Sequence, residues 1–72
     1  MDEKILNIMK EVFEVDNIDE TCSQDNCDKW DSLHHLTLIS ELEDAFGIEF
    51  EPEEIVEMKS FNKVKTFINL KK

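Results

Sequence analysis

Fifteen residues from Ser32 to Phe46 run without Gly or Pro between two boundary signals, and that stretch commits the chain to helix. Asp31 or Ser32 supplies an N-cap oxygen. Gly47 follows as a C′ residue able to take the left-handed conformation that ends a helix. Wound at about 100° per residue, His35, Leu38, Ile39, Leu42, Ala45 and Phe46 gather on one side, which predicts the core face. Leu33 and Leu36 fall on the opposite side, grouped with Ser32, Ser40, Glu43 and Asp44. Core packing therefore leaves two leucines over, beside a serine at a helix start. Single exposed leucines are common on any surface, but an apolar pair rimmed by acids predicts a docking patch.

The flanking segments extend the same pattern. Ile5, Met9, Val12 and Phe13 recur at helical spacing with Ile8 beside them, predicting a first helix from Asp2 to about Glu14. Its leading acids suit the positive end of the dipole. Asp16 to Asp31 is rich in Asp, Asn and Ser, and its apolar positions are Ile18, Cys22, Cys27 and Trp30. A connection of that length in so small a chain predicts a functional loop, pinned to the core by Ile18 and Trp30. Pro52 in Glu51-Pro52-Glu53-Glu54-Ile55 opens a short third helix. Ser60 caps a last one, with Phe61, Val64, Phe67 and Ile68 as its stripe, and Lys65, Lys71 and Lys72 toward its negative end. The fold class is all-α: a small four-helix bundle of three main helices plus one short helix, expected to be a single domain over residues 1–72.

Charge narrows the partners. Eighteen acidic residues against eight lysines, with no arginine, give a formal net charge of -10. Nucleic acid is excluded as a partner, since binding phosphates requires clustered cations. Long-range attraction favours basic protein surfaces instead. All the acids lie between Asp2 and Glu57, while Met58 to Lys72 holds five lysines. The acidic opening Met1-Asp-Glu-Lys does not resemble a signal peptide, and no apolar run approaches membrane-spanning length. A cytoplasmic monomer without membrane insertion is the expectation.

Cys22 and Cys27 lack the His or carboxylate spacing of a zinc site and the CxxC spacing of a redox enzyme. They are expected to be reduced in the cytosol and to pack as small apolar side chains. The loop that contains them is no EF-hand, because the only glycine is Gly47 and such a loop needs one at its sixth position. No metal site is expected.

Asp31-Ser32-Leu33, opening an apolar-patterned helix, resembles the Asp-Ser-Leu motif of acyl carrier proteins. Leu-Glu-Asp-Ala-Phe-Gly-Ile (Leu42 to Ile48) follows as in that family, then an acidic Pro-containing stretch, a short helix and a final helix. The resemblance covers nearly the whole chain, and the second helix is its most specific part. It implies an acyl-carrier-type bundle without catalytic activity of its own. It implies a 4′-phosphopantetheine arm, moved from coenzyme A to Ser32 by a phosphopantetheinyl transferase and holding acyl groups as thioesters. By the same resemblance Asp31 and Leu33 flank the attachment point, and Asp31 helps place the serine in the transferase. Leu33 and Leu36 meet partners through apolar contact. Glu41, Glu43 and Asp44 belong to the acidic recognition surface for acyl-transferring or acyl-ligating enzymes with basic docking patches, and Ser40, on the same side of the helix as Leu33 and Leu36, is expected to join it. Leu38, Ile39, Leu42 and Phe46 line the acyl-sheltering interior.

Several residues depart from the fatty-acid carriers: Lys29 and Trp30 before the motif, His34 and His35 after it. The Trp-Asp-Ser-Leu sequence looks like specialised bacterial carriers that serve lipid, polysaccharide or secondary-metabolite pathways, with general fatty-acid synthesis as the alternative. An unmodified acidic helical adaptor, acting through protein contacts, shares the charge and the leucine patch but leaves the central serine unexplained. A hydrolase built on Ser32 and a histidine needs an oriented base and an oxyanion hole. On a helix His34 points away from Ser32 as a solvated residue, and His35 turns to the core.

Overall fold

The computed structural model describes residues 2–71. Four helices follow one another: α1 (Asp2–Phe13), α2 (Ser32–Phe46), α3 (Pro52–Glu57) and α4 (Phe61–Lys71). All four were expected from periodicity and caps. The placement expected for Lys72 lies outside the described residues.

Ile5, Met9 and Phe13 form the buried stripe of α1, which packs against α2. The helix stops one residue earlier than its pattern predicts. Glu14 takes φ 56, and the Val15 N–H reaches back to the Lys10 carbonyl at 3.1 Å. A left-handed residue closing a helix is usually Gly or Asn; a glutamate there accepts strain of about 1 kcal/mol.

The ends of α2 are fixed by chemistry in the sequence. Asp31, not Ser32, is the N-cap: its side chain accepts from the His34 N–H at 2.9 Å. Gly47 closes the helix at φ 65, its N–H bonded to the Glu43 carbonyl. A Cβ built at Gly47 meets nothing within 4 Å, so glycine is needed there for its torsion and not for space. The negative end of α2 has no basic residue of its own. Lys4 from α1 serves it, donating to the Ala45 carbonyl at 3.1 Å with its ammonium 4.7 Å from the Phe46 ring centroid.

Pro52 heads α3, and the Glu51 N–H donates to Glu54 Oε1 at 2.7 Å. None of its residues is fully buried, so this one-and-a-half-turn helix is held from outside. Lys71 of α4 pairs with Glu54 at 2.8 Å. The Glu51 backbone N–H and then Lys71 hold the Glu54 carboxyl below its usual range. Buried Met58 anchors the exit from the helix.

Ser60 caps α4 as expected, its Oγ accepting from the Lys63 N–H at 3.2 Å. The long loop is stitched to this end of α4. The Phe61 N–H donates to the Cys22 carbonyl and the Gln24 N–H to the Lys59 carbonyl, both at 2.9 Å. Ser23 and Ser60 bridge in antiparallel fashion, and no strand is present among the described residues. The core thus joins α1, α2 and α4 with Cys22 and Trp30 from the loop.

Leu42 is completely buried in that core. Leu42→Ala should cost about 2–5 kcal/mol through lost transfer energy and the cavity left behind. Urea denaturation followed by circular dichroism measures it; a loss below about 1 kcal/mol would contradict the packing.

Candidate modification and docking site

Ser32 is the first residue of α2, exposed to solvent one position after its cap. Asp31 Oδ1 accepts from two groups of one residue, the His34 backbone N–H at 2.9 Å and His34 Nδ1 at 2.8 Å. Nδ1 is therefore the protonated nitrogen, a tautomer assigned from its partner. These bonds, the backbone N–H foremost, hold the Asp31 carboxyl below its usual range. The cap's contribution is complete above the ordinary carboxylate range, and is lost as pH falls through the lowered value.

His34 differs from its expected placement as a solvated residue. It is half-buried, bonded to Asp31, and meets the Phe13 ring edge-on with centroids 6.4 Å apart. The helix wheel gave its direction from the backbone; the carboxylate one turn earlier drew it in. No hydrogen bond among the described residues joins Ser32 Oγ to either imidazole.

His35 is buried on the core face, as predicted. Its partners were not predicted. Trp30 Nε1–H donates to Nδ1 at 2.9 Å, leaving Nε2–H to donate to the Ile55 carbonyl at 2.8 Å. The neutral ring thus satisfies the loop before Ser32 on one side and α3 on the other. The indole lies 5.2 Å from the Phe13 ring, centroid to centroid. A signal existed in the sequence: an indole N–H and an imidazole five residues apart, both assigned to the core, each require a partner once buried.

The docking residues separate into two groups. Leu33 and Leu36 are 73% and 61% exposed, and Ser40, Glu41 and Asp44 are exposed with them. Glu43 is half-buried, and its Oε2 accepts from the Phe50 N–H at 2.8 Å. This carboxylate, expected on the outer face, also holds the connection between α2 and α3. Helical periodicity does not reveal it, because its partner arrives from the far side of Gly47. On the inner face Leu38, Ile39 and Leu42 are buried, while Ala45 and Phe46 are half-buried.

The residues at the head of α2 fit a phosphodiester-linked arm. Ser32 offers an open hydroxyl. At Ser32 and Leu33 the backbone N–H groups have no carbonyl one turn back, so they are donors available to an anion. Ser32 would hold 4′-phosphopantetheine, and the arm would supply the thiol on which an acyl group is carried.

Comparison with known proteins agrees with this geometry. The family model described as phosphopantetheine attachment site matches residues 3–68. The structure is similar to the solution NMR structure of a holo acyl carrier protein from Geobacter metallireducens, at a TM-score of 0.87 and 29% identity. The match covers 97% of this chain and 83% of that one. No curated protein matches the sequence. No helix among the described residues is long and apolar enough to cross a membrane. With a family match over nearly its whole length, a four-helix fold shared with a holo carrier and an open serine heading α2, the chain belongs to the phosphopantetheine-binding acyl carrier family.

Proposed function

We propose that Ser32 is the attachment point of the arm, and that the protein presents thioester-bound acyl groups to partner enzymes without catalysing their transfer. The observation that supports this most is the setting of Ser32. It is exposed at the first position of α2, with the cap function supplied by Asp31 and with Leu33 and Leu36 open beside it. A tether from that point raises the local concentration of cargo at whichever active site is docked on α2.

The partners proposed are a phosphopantetheinyl transferase and acyl-transferring or acyl-ligating enzymes with basic patches. Leu33 and Leu36 offer them apolar contact; Ser40, Glu41, Glu43 and Asp44 offer polar and acidic contact, and Asp31 guides the serine into the transferase. Leu38, Ile39, Leu42 and Phe46 form the side toward which a carried chain folds. The resemblance of Trp30-Asp31-Ser32-Leu33 to specialised bacterial carriers supports a lipid, polysaccharide or secondary-metabolite pathway over general fatty-acid synthesis. A cytoplasmic site of action goes with that reading.

Incubation with a broad-specificity transferase and coenzyme A should add the mass of one phosphopantetheine, located by fragmentation to the peptide containing Ser32. No gain would overturn the proposal and favour an unmodified adaptor; a gain on another residue would overturn the assignment of Ser32.

Docking has its own test. Leu36→Ala should slow modification about tenfold with no change in melting, because the side chain lies in solvent. Charge reversal at Glu41 should also slow it without unfolding. Reversal at Glu43 should lower stability as well, by about 1–3 kcal/mol, because the Phe50 N–H loses a charged acceptor. Transferase kinetics beside thermal melting separate these effects; equal melting losses in all three would contradict the assignment.

A further inference from the structure

The loop between α1 and α2 holds two thiols that carrier chemistry does not use. Cys22 is 6% exposed, packed into the core, and Cys27 is half-exposed; both are free. They share the wall of an open cleft of about 490 Å³ with Ile18, Asp19, Thr21 and Asn26. Burial, followed by the charge and hydrogen bond of the adjacent Cys27, pushes the Cys22 thiol up to about 12. Both thiols thus line one cleft from the two ends of a single turn, Cys22 buried and kept protonated, Cys27 open to it.

The backbone between them is fastened. Asp19 Oδ1 accepts from the Thr21 N–H and hydroxyl. Asn26 accepts from the Ser23 N–H at 3.0 Å and donates to the Thr21 carbonyl at 2.8 Å. The Cys27 N–H closes the turn on the Ser23 carbonyl at 3.0 Å. Outside the turn, the Cys22 carbonyl holds the Phe61 N–H at the start of α4, and the Cys27 carbonyl holds the Trp30 N–H two residues before Ser32. The thiols sit at the two ends of a preorganised turn whose anchors reach both the final helix and the modification site.

We propose that Cys22 and Cys27 form a dithiol site which low-molecular-weight disulfides, the class represented by oxidised glutathione, convert to an intramolecular disulfide. Cys27 reacts first, because it opens on the cleft. Its thiolate attacks one sulfur of the reagent, the reagent's S–S bond breaks, and one thiolate leaves and takes up a proton. Cys22 then gives up its proton and attacks the Cys27 sulfur, forming the Cys22–Cys27 bond and expelling the second small thiolate. Two protein thiols lose two electrons and two protons; one small disulfide becomes two thiols. After the first step Cys27 no longer bears a charge opposing ionisation of Cys22, so burial and the nearby Asp19 carboxylate are what slow the second.

The test uses the whole chain, reduced and folded, equilibrated with graded mixtures of reduced and oxidised glutathione, quenched in acid, alkylated and weighed intact. The wild type should lose about 2 Da, two hydrogens, and refuse the alkylating label in step with the oxidised fraction. Cys22→Ser should stop at one glutathione on Cys27, and Cys27→Ser should stay unmodified on the same timescale. Circular dichroism checks that both variants are folded, and the wild-type result stands without them. A wild type that keeps two alkylatable thiols at every ratio, that accumulates a lasting glutathione adduct, or that links two chains instead would overturn the proposal.

Discussion

Ser32→Ala should melt within about 0.5 kcal/mol of the wild type and accept no phosphopantetheine at all. Both halves follow from one detail of α2. The first-turn N–H of His34 is satisfied by the Asp31 carboxylate, so Ser32 contributes no cap bond. Alanine at the first helical position removes an exposed hydroxyl and has the highest helix propensity. Intact mass after exhaustive incubation with transferase and coenzyme A should show full conversion of the wild type and none of the variant. The neighbouring substitution behaves in reverse: Asp31→Ala removes the cap, at about 0.5–2 kcal/mol, and leaves the hydroxyl in place. A mass gain in Ser32→Ala equal to that of the wild type would refute the assignment outright.

His35→Ala should be among the most damaging substitutions on α2, costing about 3–5 kcal/mol. The imidazole accepts from the indole of Trp30 and donates to the Ile55 carbonyl, and its removal leaves a buried indole N–H and a part-buried carbonyl without their partner. Each orphaned group costs about 1–3 kcal/mol, before any lost packing is added. Native stability is of order 5–15 kcal/mol, and a fold built from so few residues sits toward its lower end. His35→Phe is the informative control, since it restores ring volume while leaving the same two groups unpaired. Urea titrations should place His35→Phe well below the wild type. If it matched the wild type, packing rather than hydrogen bonding would be what His35 supplies.

Helices were legible in this chain because their signals are local. Asp31 and Gly47 bracket α2, Pro52 heads α3 and Ser60 caps α4, and each is read within a few residues of where it acts. The exposed pair Leu33 and Leu36 was legible for the same reason, as a departure from one helix's own period. What stayed hidden depends on segments that meet only in the fold. Glu14 ends α1 in a conformation its residue type does not advertise. Glu43 lies on the outer side of a helical wheel, and turns to Phe50 because the chain doubles back past Gly47. His34 is drawn onto Asp31 and against Phe13, a residue of another helix. The candidate site followed the same division: the serine and its apolar neighbours were readable, the internal ties of the charged and aromatic residues were not.

Trp30 is the only tryptophan in the chain, and its indole is buried, bonded to His35 and lies against Phe13. The protein therefore has a built-in optical probe two residues from Ser32. Its emission is that of a single fluorophore in one environment, with no second indole to obscure it. Loosening of the loop, of α3 through the Ile55 carbonyl, or of α1 through Phe13 would each move the indole toward water and shift its emission to longer wavelength. Any loading or docking event that loosens one of those contacts would be visible in real time on unlabelled protein, from inside the junction where the three segments meet.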